Sequence, residues 1–110
     1  MGAYLSAPVT TKVSADGATP WLEFGASAMQ GWRRSMEDAH VLGEPIKDAQ
    51  GSSSVMFGVF DGHGGAEVAR FVARHIADEL PARWTADPER ELKRLFHRMD
   101  ELLRDPSRAE

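Results

Sequence analysis

The sequence predicts an α+β fold with strands first and helices after them, and three observations carry that reading. Residues Trp21 to Met29 alternate between apolar and polar side chains. Val55 to Phe60 form an uninterrupted apolar run that stops at Asp61-Gly62-His63-Gly64-Gly65. From Ala66 onward the apolar spacing lengthens to three and four residues, the period of a helix.

Taken in order, residues 1–20 are rich in Ala, Thr, Ser and Gly and show no period, so a flexible N-terminal arm is expected there. The domain proper is expected over residues 21–110. In its first strand Leu22, Phe24, Ala26 and Ala28 share one face, and Glu23, Gly25 and Ser27 the other. Gly31 to Arg34 reads as a turn or strand end, and Ala39 to Leu42 as a second short strand. Pro45 to Ser54, with Pro, Gly, Asp and a serine run, reads as a loop. Together these suggest a hairpin-like unit. The run from Val55 to Phe60 has the length and turn boundaries of a strand buried on both faces. Val68, Val72, Ile76 and Leu80 then mark a helix that Pro81 ends. Asp87 and Pro88 supply a cap and a favourable first position for a second helix. Its stripe is Leu92, Leu95, Phe96, Met99, Leu102 and Leu103. Three strands do not obviously cover two amphipathic helices and a doubly buried strand, so this is expected to be part of a larger layered domain.

Composition narrows the function. Apolar residues make up 42% and charged residues 27% of the 110 residues, ordinary values for a globular chain. The net charge is −4, which argues against nucleic acid as a partner. With no cysteine, disulfides, thiolate metal sites and cysteine nucleophiles are excluded. No apolar run reaches the roughly 18 residues of a bilayer span, and the first residues lack a secretory layout. A soluble intracellular protein is expected, in the cytoplasm, with the nucleus left open.

The candidate chemistry lies in two short stretches. Asp61 ends an apolar strand and opens a glycine-rich loop into a helix, where a carboxylate is held rigidly and the glycines let the backbone approach an ion or phosphate. Hard divalent cations such as Mg²⁺ and Mn²⁺ take carboxylate, carbonyl and water oxygens. Glu37, Asp61 and the Gly62 carbonyl can supply such a set where the two strands are neighbours. Arg33 offers a guanidinium fork that matches phosphate oxygens. His63 can donate a proton to a leaving oxygen. Each has a plainer reading as well: Asp61-Gly62 as an ordinary turn, Glu37-Asp38 as a solvated pair, Arg33-Arg34 as surface cations, His63 as a loop histidine or a metal ligand. The run Gly62-His63-Gly64-Gly65 does not have nucleotide-loop spacing and lacks a P-loop lysine.

Two motifs resemble a known family. Gly31-Trp32-Arg33 with Met36-Glu37-Asp38-Ala39-His40 resembles the first signature of the PPM, or type 2C, metal-dependent Ser/Thr protein phosphatases. Met56-Phe57-Gly58-Val59-Phe60-Asp61-Gly62-His63-Gly64 is similar to the second, and order and spacing also match. The resemblance covers about Phe24 to Leu103. It implies a four-layer α-β-β-α sandwich with antiparallel sheets and two Mg²⁺ or Mn²⁺ ions at one end. It also implies hydrolysis of phosphoserine and phosphothreonine in protein substrates by a metal-activated water, without a phosphoenzyme. By the same match Asp61 would bridge the metals, Glu37 and the Gly62 carbonyl would complete one metal's ligands, and Asp38 would sit in the outer shell. Arg33 would grip the phosphate, and His63 would be the general acid.

Family domains run to about twice this length or more, within the range that single domains reach. Their later aspartate-bearing signatures have no counterpart after Gly65. A truncated chain, inactive and poorly folded by itself, is therefore expected. The alternative is a non-catalytic, phosphatase-like interaction module. Met1-Gly2-Ala3-Tyr4-Leu5-Ser6 also fits an N-myristoylation pattern with Gly2 as acceptor. One acyl chain without a following basic stretch would give only weak, reversible membrane association.

Overall fold

A computed structural model describes residues 4–105 and 107, and the structural statements below concern those residues. Gly2 lies outside them. The chain forms β1 (Tyr4–Thr19), β2 (Leu22–Arg33), β3 (Asp38–Ile46), β4 (Ser54–Asp61), helix α1 (Glu67–Glu79), a 3₁₀ turn (Ala82–Ala86) and helix α2 (Pro88–Arg104). Two two-stranded antiparallel sheets result, β1 with β2 and β3 with β4. With the two helices this is the α+β class that the sequence predicts.

The second strand alternates as read. Leu22, Phe24, Ala26 and Ala28 are half-buried, and Glu23, Gly25, Ser27 and Met29 are exposed. Its partner is a correction. The expected arm is a strand: Thr19 pairs with Leu22 across the Pro20-Trp21 turn, and the ladder runs back to Tyr4 opposite Arg33. The Thr19 hydroxyl accepts from the Trp21 amide at 3.3 Å, closing that turn. From Val9 to Asp16 every residue of β1 is exposed. The strand therefore has no buried face to write a period of two into the sequence.

The expected pairing of the second and third strands is corrected as well, since each pairs elsewhere. The two sheets meet instead through Phe24. Its ring stands edge-on to Phe57 of β4, with centroids 5.2 Å apart. It also lies over Gly17 and Gly43, where a Cβ would overlap it. Gly43 has φ 63° and sits where the β3–β4 register shifts by one residue, a bulge that only glycine adopts without strain. β3 runs on through Pro45 and Ile46, and Ser54 already belongs to β4, so the predicted loop shortens to residues 47–53.

The helices pack on the β3–β4 sheet. Val41, Ile76, Leu80, Leu95, Met99 and Leu102 form the buried cluster, with Ile46, Met56, Phe60, Phe71, Val72 and Trp84 against it. Asp87 caps α2 as predicted, its side chain accepting from the Arg90 amide at 3.2 Å, with Pro88 at the first turn. Glu79 of α1 takes Arg98 of α2 at 2.8 Å, and Arg98 also reaches Glu101 at 3.2 Å. At the end of the hairpin away from Asp38 and Asp61, the 3₁₀ turn grips the β3–β4 loop. The Trp84 indole donates to the Lys47 carbonyl at 2.9 Å, the Ala49 amide to the Ala82 carbonyl at 2.7 Å, and Thr85 to Gln50 at 2.8 Å.

The strand expected to be buried on both faces is packed by the helices on one and only partly covered, by Phe24, on the other. Phe60 and Met56 face the helices, whereas Phe57 is 46% and Val59 78% exposed. Parts of the helix stripes are likewise open, with Val68 at 56% and Phe96 at 59%. The exposed ribbon of β1 and β2 extends the molecule. The Cα radius of gyration is 16.2 Å, against roughly 13 Å for a compact chain of this length. Among the described residues, no helix is long and apolar enough to cross a membrane.

Candidate active site

The antiparallel register carries the acidic residues to one edge. β3 begins at Asp38 where β4 ends at Asp61, and the two are directly opposite. One residue further out, the Gly62 amide donates to the Glu37 carbonyl at 3.1 Å, extending the ladder past both strand ends. Gly62 is packed too tightly for any side chain: a Cβ there would overlap the Glu37 carbonyl and stand 3.2 Å from both the Ala69 Cβ and the Gly65 carbonyl. The sequence DG therefore has a steric reason here.

Arg33, at the end of β2, faces this edge from the other sheet. A cleft of about 180 Å³ is lined by Arg33, Glu37, Asp38, Asp61 and Gly62, together with Gln30, Ser35 and two methionines. Glu37 is half-buried; Arg33, Asp38 and Asp61 are exposed. The Glu37 carboxylate accepts from the Ser35 hydroxyl at 2.8 Å. Gln30 donates to the Arg33 carbonyl at 2.7 Å, tying down the strand end that carries the guanidinium. Partial desolvation holds the Asp38 carboxyl above its ordinary 3.8. Repulsion from Asp61, a hydrogen bond shared with it, and the charge on Glu37 push the same way, and Arg33 opposes them.

His63 is not brought into this cleft. It lines a neighbouring, mainly apolar one between the end of β4 and the two helices, with Val68, Val72, Phe96 and Met99. Asp61 and Gly62 form the wall between the two, since both residues line each cleft. Among the described residues, no three His, Cys, Asp or Glu side chains converge as metal ligands.

An anionic edge backed by an arginine suits cations and phosphate alike, and similarity to known proteins narrows the choice. The sequence profile of the family described as Protein phosphatase 2C matches residues 22–110. This chain belongs to that family. It is 47% identical over 94% of its length to "Probable protein phosphatase 2C 21" of Arabidopsis thaliana. It is 47% identical over 99% of its length to "Probable protein phosphatase 2C 3" of Paramecium tetraurelia. With "Protein phosphatase 2C homolog 2" of Schizosaccharomyces pombe it shares 44% identity over 94% of its length. The chain spans only 29%, 36% and 29% of these three relatives.

Within this protein phosphatase 2C segment, five of the six residues singled out for chemistry share the cleft: Arg33, Glu37, Asp38, Asp61 and Gly62. Two that line it were missed, Ser35 and Gln30. Ser35 carried a readable signal, being two residues from Glu37 on a bend. Gln30 carried none, because its role depends on the fold of β2 about Gly31, which has φ 69°.

Proposed function

We propose that this segment supplies one half of a two-metal site that hydrolyses phosphoserine and phosphothreonine in proteins. The observation that supports it most is the single cleft shared by Arg33, Glu37, Asp38, Asp61 and Gly62 at the matched ends of β3 and β4. The donors are all oxygens, the set that hard divalent cations prefer. Asp38 and Asp61 stand directly opposite each other, and the repulsion between the two carboxylates is what a cation would neutralise. In this reading Glu37, Asp61 and the Gly62 carbonyl hold Mg²⁺ or Mn²⁺, and Asp38 stands in the outer shell. Such ions lower the pKa of water and neutralise charge building on the phosphoryl group.

The remaining work falls to side chains of this chain. The Arg33 backbone is fixed at a strand end by Gln30, and its planar fork can donate to two phosphate oxygens at once. His63, on the far side of the Asp61-Gly62 wall, protonates the leaving serine or threonine oxygen. The substrate is a phosphorylated protein and not a nucleic acid, in keeping with the net charge of −4. By itself the 110-residue chain is proposed to be inactive, because a two-ion cluster needs more carboxylates than Glu37, Asp38 and Asp61.

A second reading, a non-catalytic phosphatase-like module, draws support from the lack of three converging ligands among the described residues. One experiment separates them. Residues 1–110 replace the matching segment of the Arabidopsis relative, and Mn²⁺-dependent hydrolysis of a phosphopeptide is measured beside that relative. The enzymatic reading expects turnover by the chimera and none by the 110-residue chain. An inactive but folded chimera beside an active parent would establish the non-catalytic module. Turnover by the short chain above a Glu37→Gln, Asp61→Asn control would refute its proposed incompleteness.

A further inference from the structure

We propose that Ser35 is a positioning residue for Glu37, fixing which carboxylate oxygen faces a divalent cation. This rests on the reading of Glu37 as a ligand. The Ser35 hydroxyl donates to Glu37 Oε2 at 2.8 Å, and both residues line the carboxylate cleft. Glu37 has three side-chain torsions and would sample several orientations if left alone. Its backbone is already held through its carbonyl by the Gly62 amide. Ser35 restrains the other end of the residue. The hydrogen bond engages Oε2 and leaves the lone pairs of Oε1 free for a cation. Ser35 can do this because it stands on the bend between β2 and β3, where its side chain is committed to no strand face.

Outer groups that orient metal ligands typically change affinity 10–100-fold, and Ser35 is exposed, so a loss of about 3- to 10-fold is expected here. The test titrates the chimera built on the Arabidopsis relative with Mn²⁺ alone, following water-proton relaxation. Ser35→Ala should weaken binding by that factor, and Ser35→Thr, which keeps the hydroxyl, should restore it. The effect of Ser35→Ala should vanish in a Glu37→Gln background, because the two residues act through one bond. Thermal unfolding in chelator should be the same for the Ser35→Ala and unsubstituted chimeras, which a merely structural role would not give. Equal Mn²⁺ affinity with and without the hydroxyl overturns the proposal, as does a loss that persists unchanged beside Glu37→Gln. If Glu37→Gln itself leaves binding intact, the ligand reading of Glu37 is what fails. If the unsubstituted chimera folds and shows no saturable binding, both fail.

Discussion

Replacing Gly62 with alanine tests the packing of the acidic edge most directly. The added methyl would overlap the Glu37 carbonyl and press on the Ala69 Cβ and the Gly65 carbonyl, each 3.2 Å away. All three neighbours lie in backbone or at the base of a helix, so none can swing aside as a long side chain would. Overpacking of this kind costs roughly 1–3 kcal/mol. The overlap also forces apart the Gly62 amide and the Glu37 carbonyl, now 3.1 Å apart, and a lost hydrogen bond adds about 0.5–1.5 kcal/mol. A total of about 2–4 kcal/mol is expected, enough to lower the melting temperature of a 100-residue domain by roughly 10 °C or more. Gly64→Ala is the control. Unlike Gly62 it has a positive φ, 69°, but nothing lies within 4 Å of its added methyl. It pays only the left-handed backbone cost of roughly 1–2 kcal/mol. Urea denaturation followed by tryptophan fluorescence compares the two. A Gly62→Ala midpoint equal to or above that of Gly64→Ala would refute the steric account of Asp61-Gly62.

Three other outcomes are expected. Leu102 is fully buried between the helices and the β3–β4 sheet, so Leu102→Ala should cost about 2–5 kcal/mol by denaturant titration, whereas Leu92→Ala on the open face should cost far less. The Asp38 carboxyl titrates above 3.8 in the folded chain; its contribution to stability is therefore greatest at acid pH and declines as pH rises through the raised value. Asp38→Asn should flatten the decline in melting temperature as pH rises from 3.8 through the raised value in chelator, and excess Mn²⁺ should do the same for the unsubstituted chain. In the chimera, Asp61→Asn should abolish phosphopeptide hydrolysis, whereas His63→Ala should slow it about 10²–10⁴-fold without changing Mn²⁺ affinity. A His63→Ala protein that loses Mn²⁺ would assign His63 to the metal instead.

Local chemistry was legible where a residue's surroundings repeat a short pattern. Leu22, Phe24, Ala26 and Ala28 announced their face, Asp87-Pro88 announced the start of α2, and the strand-then-DG layout announced the acidic edge. Partnership was not legible. The first strand is solvated for most of its length, so nothing in Val9 to Asp16 distinguishes it from an arm. The hairpin that looked natural from the order of segments lost to the tight Pro20-Trp21 turn, which joins the second strand to the first. Helix stripes announced which residues could be buried without saying how many would be: Leu95, Met99 and Leu102 are, while Val68 and Phe96 are not. Glu91 went unread for the opposite reason. It is 7% exposed on α2, held at 3.8 Å from Arg83 and 3.9 Å from Arg94, and periodicity gives no warning of a buried charge. His63 sits two residues from Asp61, yet the wall formed by Asp61 and Gly62 turns it into another cleft.

The grip of the 3₁₀ turn on the β3–β4 loop lies at the end of the sheet remote from the carboxylates, and it still bears on them. A strand pair can slide, and sliding by one residue moves a side chain about 3.3 Å and turns it to the opposite face. Were β3 to slip against β4, Asp38 would no longer stand across from Asp61. Trp84, Ala82 and Thr85 hold the loop at three points beyond Ile46 and Ser54, while the Gly62 amide holds the other end at Glu37. The hairpin is thus clamped like a ruler pinned at both ends. A Trp84→Phe change, far from any carboxylate, would loosen the alignment of the two aspartates without touching either.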